Sequence, residues 1–277
     1  MRPQNIIRPA VLAVVLLAPL PALADMLRVD RLVAATRLTE ILTIMSAEGV
    51  AYGETLETDM FPGEGGATWT EEVERIHDTD RAVEEMRLAF DARLGSDAVD
   101  PLLDFYETPL GRRIVDGEVI AREALLDEEA DATAKEMLAD MIQSDSPRLG
   151  LLREFVEVND LIESNVVGGL NSNFAFYRGL ENGGAFRTTI TEGQMLSEVW
   201  EQESEMRVET EEWLLSYLGL AYAGLTDDEL RTYIEISGTD AGDSFNAALF
   251  AAFDVLFSRV SYELGQAAAR YIAADDA

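Results

Sequence analysis

The sequence predicts an all-α protein, built as two degenerate copies of a four-helix unit packed as a helical bundle. Three observations carry this. Apolar residues recur at steps of three, four and seven, and the period-two alternation of strands is absent. Capping residues and glycines punctuate the chain at helix length. A self-comparison at an offset of 131 residues aligns landmarks without a gap: Trp69 with Trp200, Leu94 with Leu225, Asp97 with Asp228, Thr108 with Thr239, Gly111 with Gly242, Ala121 with Ala252 and Leu125 with Leu256. With 48% apolar residues in 277, the chain is globular rather than disordered.

Residues 1–24 read as a signal peptide. Arg2 and Arg8 give a positive start, and Ala10–Leu20 is an apolar run too short to span a bilayer as a mature helix. Pro19 and Pro21 interrupt it, and Ala22-Leu23-Ala24 fits the small-x-small rule for cleavage after Ala24. An uncleaved anchor is the alternative. No cysteine follows, so a lipid anchor at that position is excluded. The leader holds two arginines and no acid, so its removal takes the net charge from −32 to −34. The predicted location is the bacterial periplasm.

The mature chain divides into unit 1, residues 25–146, and unit 2, residues 147–277. Helix one is long, about Met26–Asp59 and about Arg148–Arg178. Gly-rich loops follow at 62–66 and 182–184. Helix two opens on a capping box, Thr68-x-x-Glu71 or Thr191-x-x-Gln194, and closes near Gly95 or Gly224. In unit 2 this predicts one amphipathic helix over Leu196–Leu220, with Leu196, Val199, Met206, Thr210, Trp213, Tyr217 and Leu220 on one face. Helix three begins at Ser96 or at Thr226, where Glu229 completes another box. It ends at a corner, 107–111 or 238–242, where Thr108 suits an N-cap and Pro109 the first helical position. Helix four runs to about Gln143 and about Ala273, and Ser144–Pro147 joins the units.

The fourth helices differ. Ala247–Phe253 is apolar all round, whereas unit 1 carries Arg112, Arg113, Asp116, Glu118, Arg122 and Glu123 in the matching helix. Unit 2 is therefore expected to supply the central buried helix and unit 1 a wetter one. Core burial explains Ala247–Phe253 better than membrane contact, since the stretch is too short to span and the charge opposes anionic lipid.

At 102–113 the residues Leu-Leu-Asp-Phe-Tyr-Glu-Thr-Pro-Leu-Gly-Arg-Arg resemble a bacterial exported family called domain of unknown function 2059. Its mark is a short helix ending Phe-Tyr, then Ser/Thr-Pro-x-Gly and a basic residue opening a long helix. The resemblance extends over about 69–143 and implies an all-helical exported protein with no assigned activity. Unit 2 departs from it: Ser237 replaces Tyr106, Asp240 replaces Pro109, and Asp243-Ser244 replace the arginine pair.

Much chemistry is excluded. Without cysteine there is no disulfide, thiol nucleophile or Cys-ligated metal, and one histidine, His77, rules out multi-His centres. The negative charge repels nucleic acid. No Gly-x-Ser-x-Gly elbow, phosphate loop, His-Glu-x-x-His or EF-hand pattern occurs. No cofactor or metal is implied.

Two candidate sites remain. Tyr106, Thr108, Arg112 and Arg113 could hold an anion at a helix N-terminus; the competing reading is a packed helix corner. Glu198, Glu201, Glu205, Glu209 and Glu212 form an acidic face suited to a divalent cation or basic partner; the competing reading is a solvated face. His77, beside Glu74 and Asp78, reads as a boundary histidine rather than a general base. The expected function is a non-catalytic binding or scaffolding protein of the bacterial envelope, with an unknown envelope protein or small ligand as partner and no membrane span in the mature chain. The alternatives are a cation-responsive module and a carboxylate-based hydrolase.

Overall fold

Helix caps and helix breaks decide how this chain is divided. The computed structural model describes residues 20–186, 188 and 190–275, which hold thirteen helices and no strand. The predicted leader therefore lies outside the described residues up to position 19.

The first helix expected is two, α1 (Leu20–Ala35) and α2 (Leu38–Met60). The break sits at Arg37, whose φ of 49° is left-handed. Such a backbone costs about 1–2 kcal/mol for a residue with a side chain. Thr36 helps hold it by donating from Oγ1 to the Leu32 carbonyl at 2.9 Å. Arg37 itself reaches Asp116 at 2.9 Å and Glu40 at 3.1 Å. The same bend recurs in α8 (Pro147–Val158) and α9 (Leu161–Gly183), at Asp160 with φ 48°. Both second members, α2 and α9, are 23 residues long.

Next come α3 (Gly66–Ile76) and α4 (Thr79–Asp91). The expected Thr68 capping box does not form. Glu57 Oε1 instead accepts from the Gly65 and Gly66 amides, both at 3.1 Å, and the helix starts three residues earlier, with Gly65 as its N-cap. Asp78 caps α4 by accepting from the Arg81 amide at 2.8 Å. In the second half the boxes at Thr191 and Thr226 are both present, opening α10 (Glu192–Trp200) and α12 (Asp227–Ser237). Between them, α11 (Glu203–Ala221) is separate from α10, so the helix expected over Leu196–Leu220 is bent at Glu201-Gln202.

The remaining helices are α5 (Ser96–Tyr106), α6 (Pro109–Ala124), α7 (Glu128–Gln143) and α13 (Asp240–Asp275). Asp127 divides α6 from α7 because its side chain accepts from the Glu129 and Ala130 amides, both at 3.0 Å. Position 258, 131 residues on, is a serine, and there α13 runs unbroken for 36 residues.

Helix α13 is the spine of the bundle, packed against α9, α4, α5, α3, α12 and α2. Its closest neighbour is α9, where glycines let backbones touch. A Cβ on Gly265 would lie 2.2 Å from the Phe176 carbonyl, and one on Gly179 would lie 2.2 Å from that of Tyr262. Side chains from both sides of residue 146 share the main core, among them Leu32, Met86, Phe90 and Ile114 with Leu152, Tyr222, Leu230 and Ala252. A second core joins Phe61, Trp69 and Val73 to Leu180, Leu264 and Ala268. The two halves thus interleave. Among the described residues, no helix is long and apolar enough to cross a membrane.

The expected correspondence of Trp69 with Trp200 separates in space: Trp69 is 1% exposed and Trp200 68%. By contrast α5 and α12 begin and end 131 residues apart, and so do the first residues of α6 and α13.

Candidate functional site

The helix corner at 105–113 is built by local chemistry. Thr108 Oγ1 accepts from the Gly111 amide at 3.0 Å and donates to the Phe105 carbonyl at 2.7 Å. Pro109 occupies the first turn of α6, where its missing N–H has no partner to lose. Gly111 brings α6 against the end of α5, since its Cβ would lie 2.4 Å from the Phe105 carbonyl. Thr239 and Gly242 repeat these contacts, with the amide bond at 3.2 Å and the hydroxyl donating to Ile236 at 2.7 Å. Gly111→Ala is expected to cost about 1–3 kcal/mol, as overpacking does where backbone cannot give way. A thermal melt checks this; an unchanged midpoint would show that the corner relaxes freely.

The structure brings two of the four corner residues, Tyr106 and Arg112, to one cavity and turns Arg113 away. Tyr106 is buried and its hydroxyl turns inward, 3.4 Å from that of Tyr233. Arg113 turns across to an ion pair with Glu229 of α12. Arg112 is exposed and lines a cavity of about 410 Å³ with Tyr106, Arg31, Arg37, Glu107 and Asp116. There Arg31 is paired with Glu107 at 2.6 Å and Arg37 with Asp116.

The Tyr106 hydroxyl also belongs to a part-buried network that sequence reading missed. Glu118, on α6, accepts at Oε1 from the Tyr222 hydroxyl at 2.7 Å and the Tyr233 hydroxyl at 3.3 Å. Its backbone carbonyl accepts from the Tyr217 hydroxyl at 3.1 Å. Phe105 stacks on Tyr233, and Phe155 packs against Tyr222 and Tyr233. Burial raises the Glu118 carboxyl to about 7 although both phenol bonds favour its charged form. Burial, with the Glu118 charge beside them, pushes the Tyr222 and Tyr233 phenols well above their ordinary range. Glu118 is thus half-buried and turned to the phenols, while Arg112, Arg113, Asp116 and Glu123 give α6 the exposed face expected of it.

The acidic face is spread out. Glu198 is on α10, Glu201 at its end, and Glu205, Glu209 and Glu212 on α11; all five are exposed. Among the described residues no group of three or more acidic or histidine side chains could hold a metal ion.

A different place gathers chemistry-bearing groups. A cavity of about 320 Å³ opens between α2, α6 and α13, at the turn joining α3 to α4. Leu42, Leu256 and Leu264 form buried apolar wall, with Met45 and Phe257 half-buried above. Arg122, Arg259, His77 and Glu48 supply polar wall. Arg122 is ion-paired to Glu48, and its guanidinium lies 5.1 Å from the centre of the Trp213 ring. Arg259 donates to Glu85 and to the Ile76 carbonyl, both at 2.8 Å. Arg122 Nε and Arg259 Nη2 are buried without an acceptor. His77 packs its ring over Gly49, and its Nδ1 lies 3.0 Å from the Val73 carbonyl. Burial lowers its pKa, and the Arg259 charge adds to this against the Val73 bond. The ring is thus held neutral. It faces the cavity rather than Glu74, while Asp78 is engaged as a cap.

Residues 80–140 match the family described as an uncharacterised protein conserved in bacteria (DUF2059). No curated protein and no solved structure matches the chain. The stretch that runs from α4 through the 105–113 corner into α7 is thus similar to that family, within an all-helical protein.

Proposed function

We propose that the chain is exported, loses residues 1–24, and acts in the bacterial periplasm as a non-catalytic binding protein built from two diverged units, 25–146 and 147–277. The observation that carries the binding reading is the cavity between α2, α6 and α13. Its wall holds two arginines, each with one buried nitrogen that has no acceptor, beside apolar side chains in a chain of net charge −32. An unpaired buried donor costs about 1–3 kcal/mol, so an acceptor brought by a ligand recovers what the folded chain forgoes. The equal spacing of α5 with α12, and the shared Thr-x-x-Gly corners, support the two-unit reading.

Purification from a periplasmic extract, followed by N-terminal sequencing and solvent extraction, tests this. The expected result is a chain starting at Asp25 that carries a ligand or partner. A cytoplasmic chain that retains Met1, or a purified protein that turns over a substrate, overturns it.

The cation-responsive alternative makes a separate prediction. A ligand of the native state must raise the melting temperature. With the glutamates of the acidic face exposed and dispersed, millimolar calcium is expected to shift it no further than matched ionic strength does. A larger rise, lost in a variant with Glu205 and Glu209 changed to Gln, would favour the cation reading.

A further inference from the structure

The ligand class of this cavity follows from its walls, on the binding reading above. We propose that it binds an amphiphile with one carboxylate head and a long saturated chain. The head is assigned by Arg122 Nε and Arg259 Nη2, which are left without acceptors while Arg122 Nη2 engages Glu48, Arg259 Nε engages Glu85, and Arg259 Nη1 engages Glu263 and the Ile76 carbonyl. Each guanidinium thus holds one buried nitrogen without an acceptor, which suits a two-oxygen, singly charged head. A doubly charged phosphate would meet Glu48, Glu85 and Glu263 in the same neighbourhood, with Arg81 already committed to the last two. A neutral head would leave the guanidiniums with no charged acceptor to gain. Both nitrogens are shielded from water, so a head group reaches them as the side chains over them turn.

The tail is assigned by what adjoins. A second cavity, about 670 Å³, shares Met45 and Phe257 with the first and is lined by Leu249, Phe250 and Phe253. The apolar surface therefore continues along α13 from Leu264 back to Leu249. At 1.5 Å per residue that is about 22 Å of helix, the reach of a long acyl chain. Its far end carries Asp160, Glu163 and Asp254, which favour the head lying at the arginine end.

The test uses the full mature chain with hexadecanoate, hexadecanol and acetate as probes, read by calorimetric titration and thermal melting. Hexadecanoate is expected to bind and raise the midpoint, with hexadecanol at least about tenfold weaker and acetate without effect. Arg122→Met should weaken hexadecanoate about tenfold or more and narrow its advantage over hexadecanol. Arg122 is ion-paired, so a second variant guards against loss of fold. Ser261→Trp fills the cavity from its half-exposed wall and should abolish binding while the helical spectrum persists. No binding of hexadecanoate at about 0.1 mM, equal binding of hexadecanol, or full binding by the Ser261→Trp chain overturns the proposal. A non-acidic ligand extracted from the periplasmic protein also overturns it, yet leaves the binding reading standing.

Discussion

Trp69→Ala is expected to destabilise the protein by about 3–5 kcal/mol, the range for emptying a core site of a large aromatic. Trp69 is 1% exposed and is the largest side chain of the second core. Its ring meets Phe61 edge-on at 5.0 Å and Tyr271 at 5.8 Å, and its indole N–H donates to the Gly53 carbonyl at 2.8 Å. It thereby ties α2 and α3 to the C-terminal part of α13. Urea unfolding followed by circular dichroism measures the loss. A cost below about 1 kcal/mol would mean that this second core adds little to the fold. Trp69→Phe keeps most of the volume and should retain part of the difference.

Glu118→Gln is expected to raise stability above pH 7 and to flatten its pH dependence. The Glu118 carboxyl is held at about 7 in the folded chain against 4.5 for a free glutamate. The unfolded chain therefore releases this proton first. Between about pH 4.5 and 7 the native state binds more protons, so this group's contribution falls as pH rises, then stays constant. A shift of this size corresponds to about 2–3 kcal/mol, allowing for partial access of solvent. Glutamine keeps an acceptor for Tyr222 and Tyr233 and has nothing to ionise. Melting both chains from pH 5 to pH 8 isolates the effect, because the other carboxylates titrate in both. Parallel profiles would show that Glu118 is solvated as an ordinary surface acid.

What could be read from the residues divides by range. Caps at Thr108, Thr191 and Thr226 were legible because each is decided within four residues. No cap forms at Thr68 because Glu57, from the preceding helix, binds the Gly65 and Gly66 amides and leaves Thr68 inside the first turn of α3. The bend at Arg37 depends in part on Asp116, 79 residues away, and no local pattern announces it. Glu118 and Arg122 were placed with the wet side of α6 on charge alone. Spacing says otherwise, since Gly111, Ile114, Val115, Glu118, Ala121 and Arg122 fall on one helical stripe. The His77–Arg122–Arg259 cavity needed four chain segments brought together, and its polar members lie far apart in sequence.

Because the spine α13 is made of residues 240–275, the order of synthesis matters. A nascent polypeptide that has reached Gly238 holds α3, α4 and α9 with the faces that α13 will cover still bare. Neither the main nor the second core can close before α13 is in place. A chain cut before Asp240 is thus expected to leave both cores open to water and to lose cooperative unfolding.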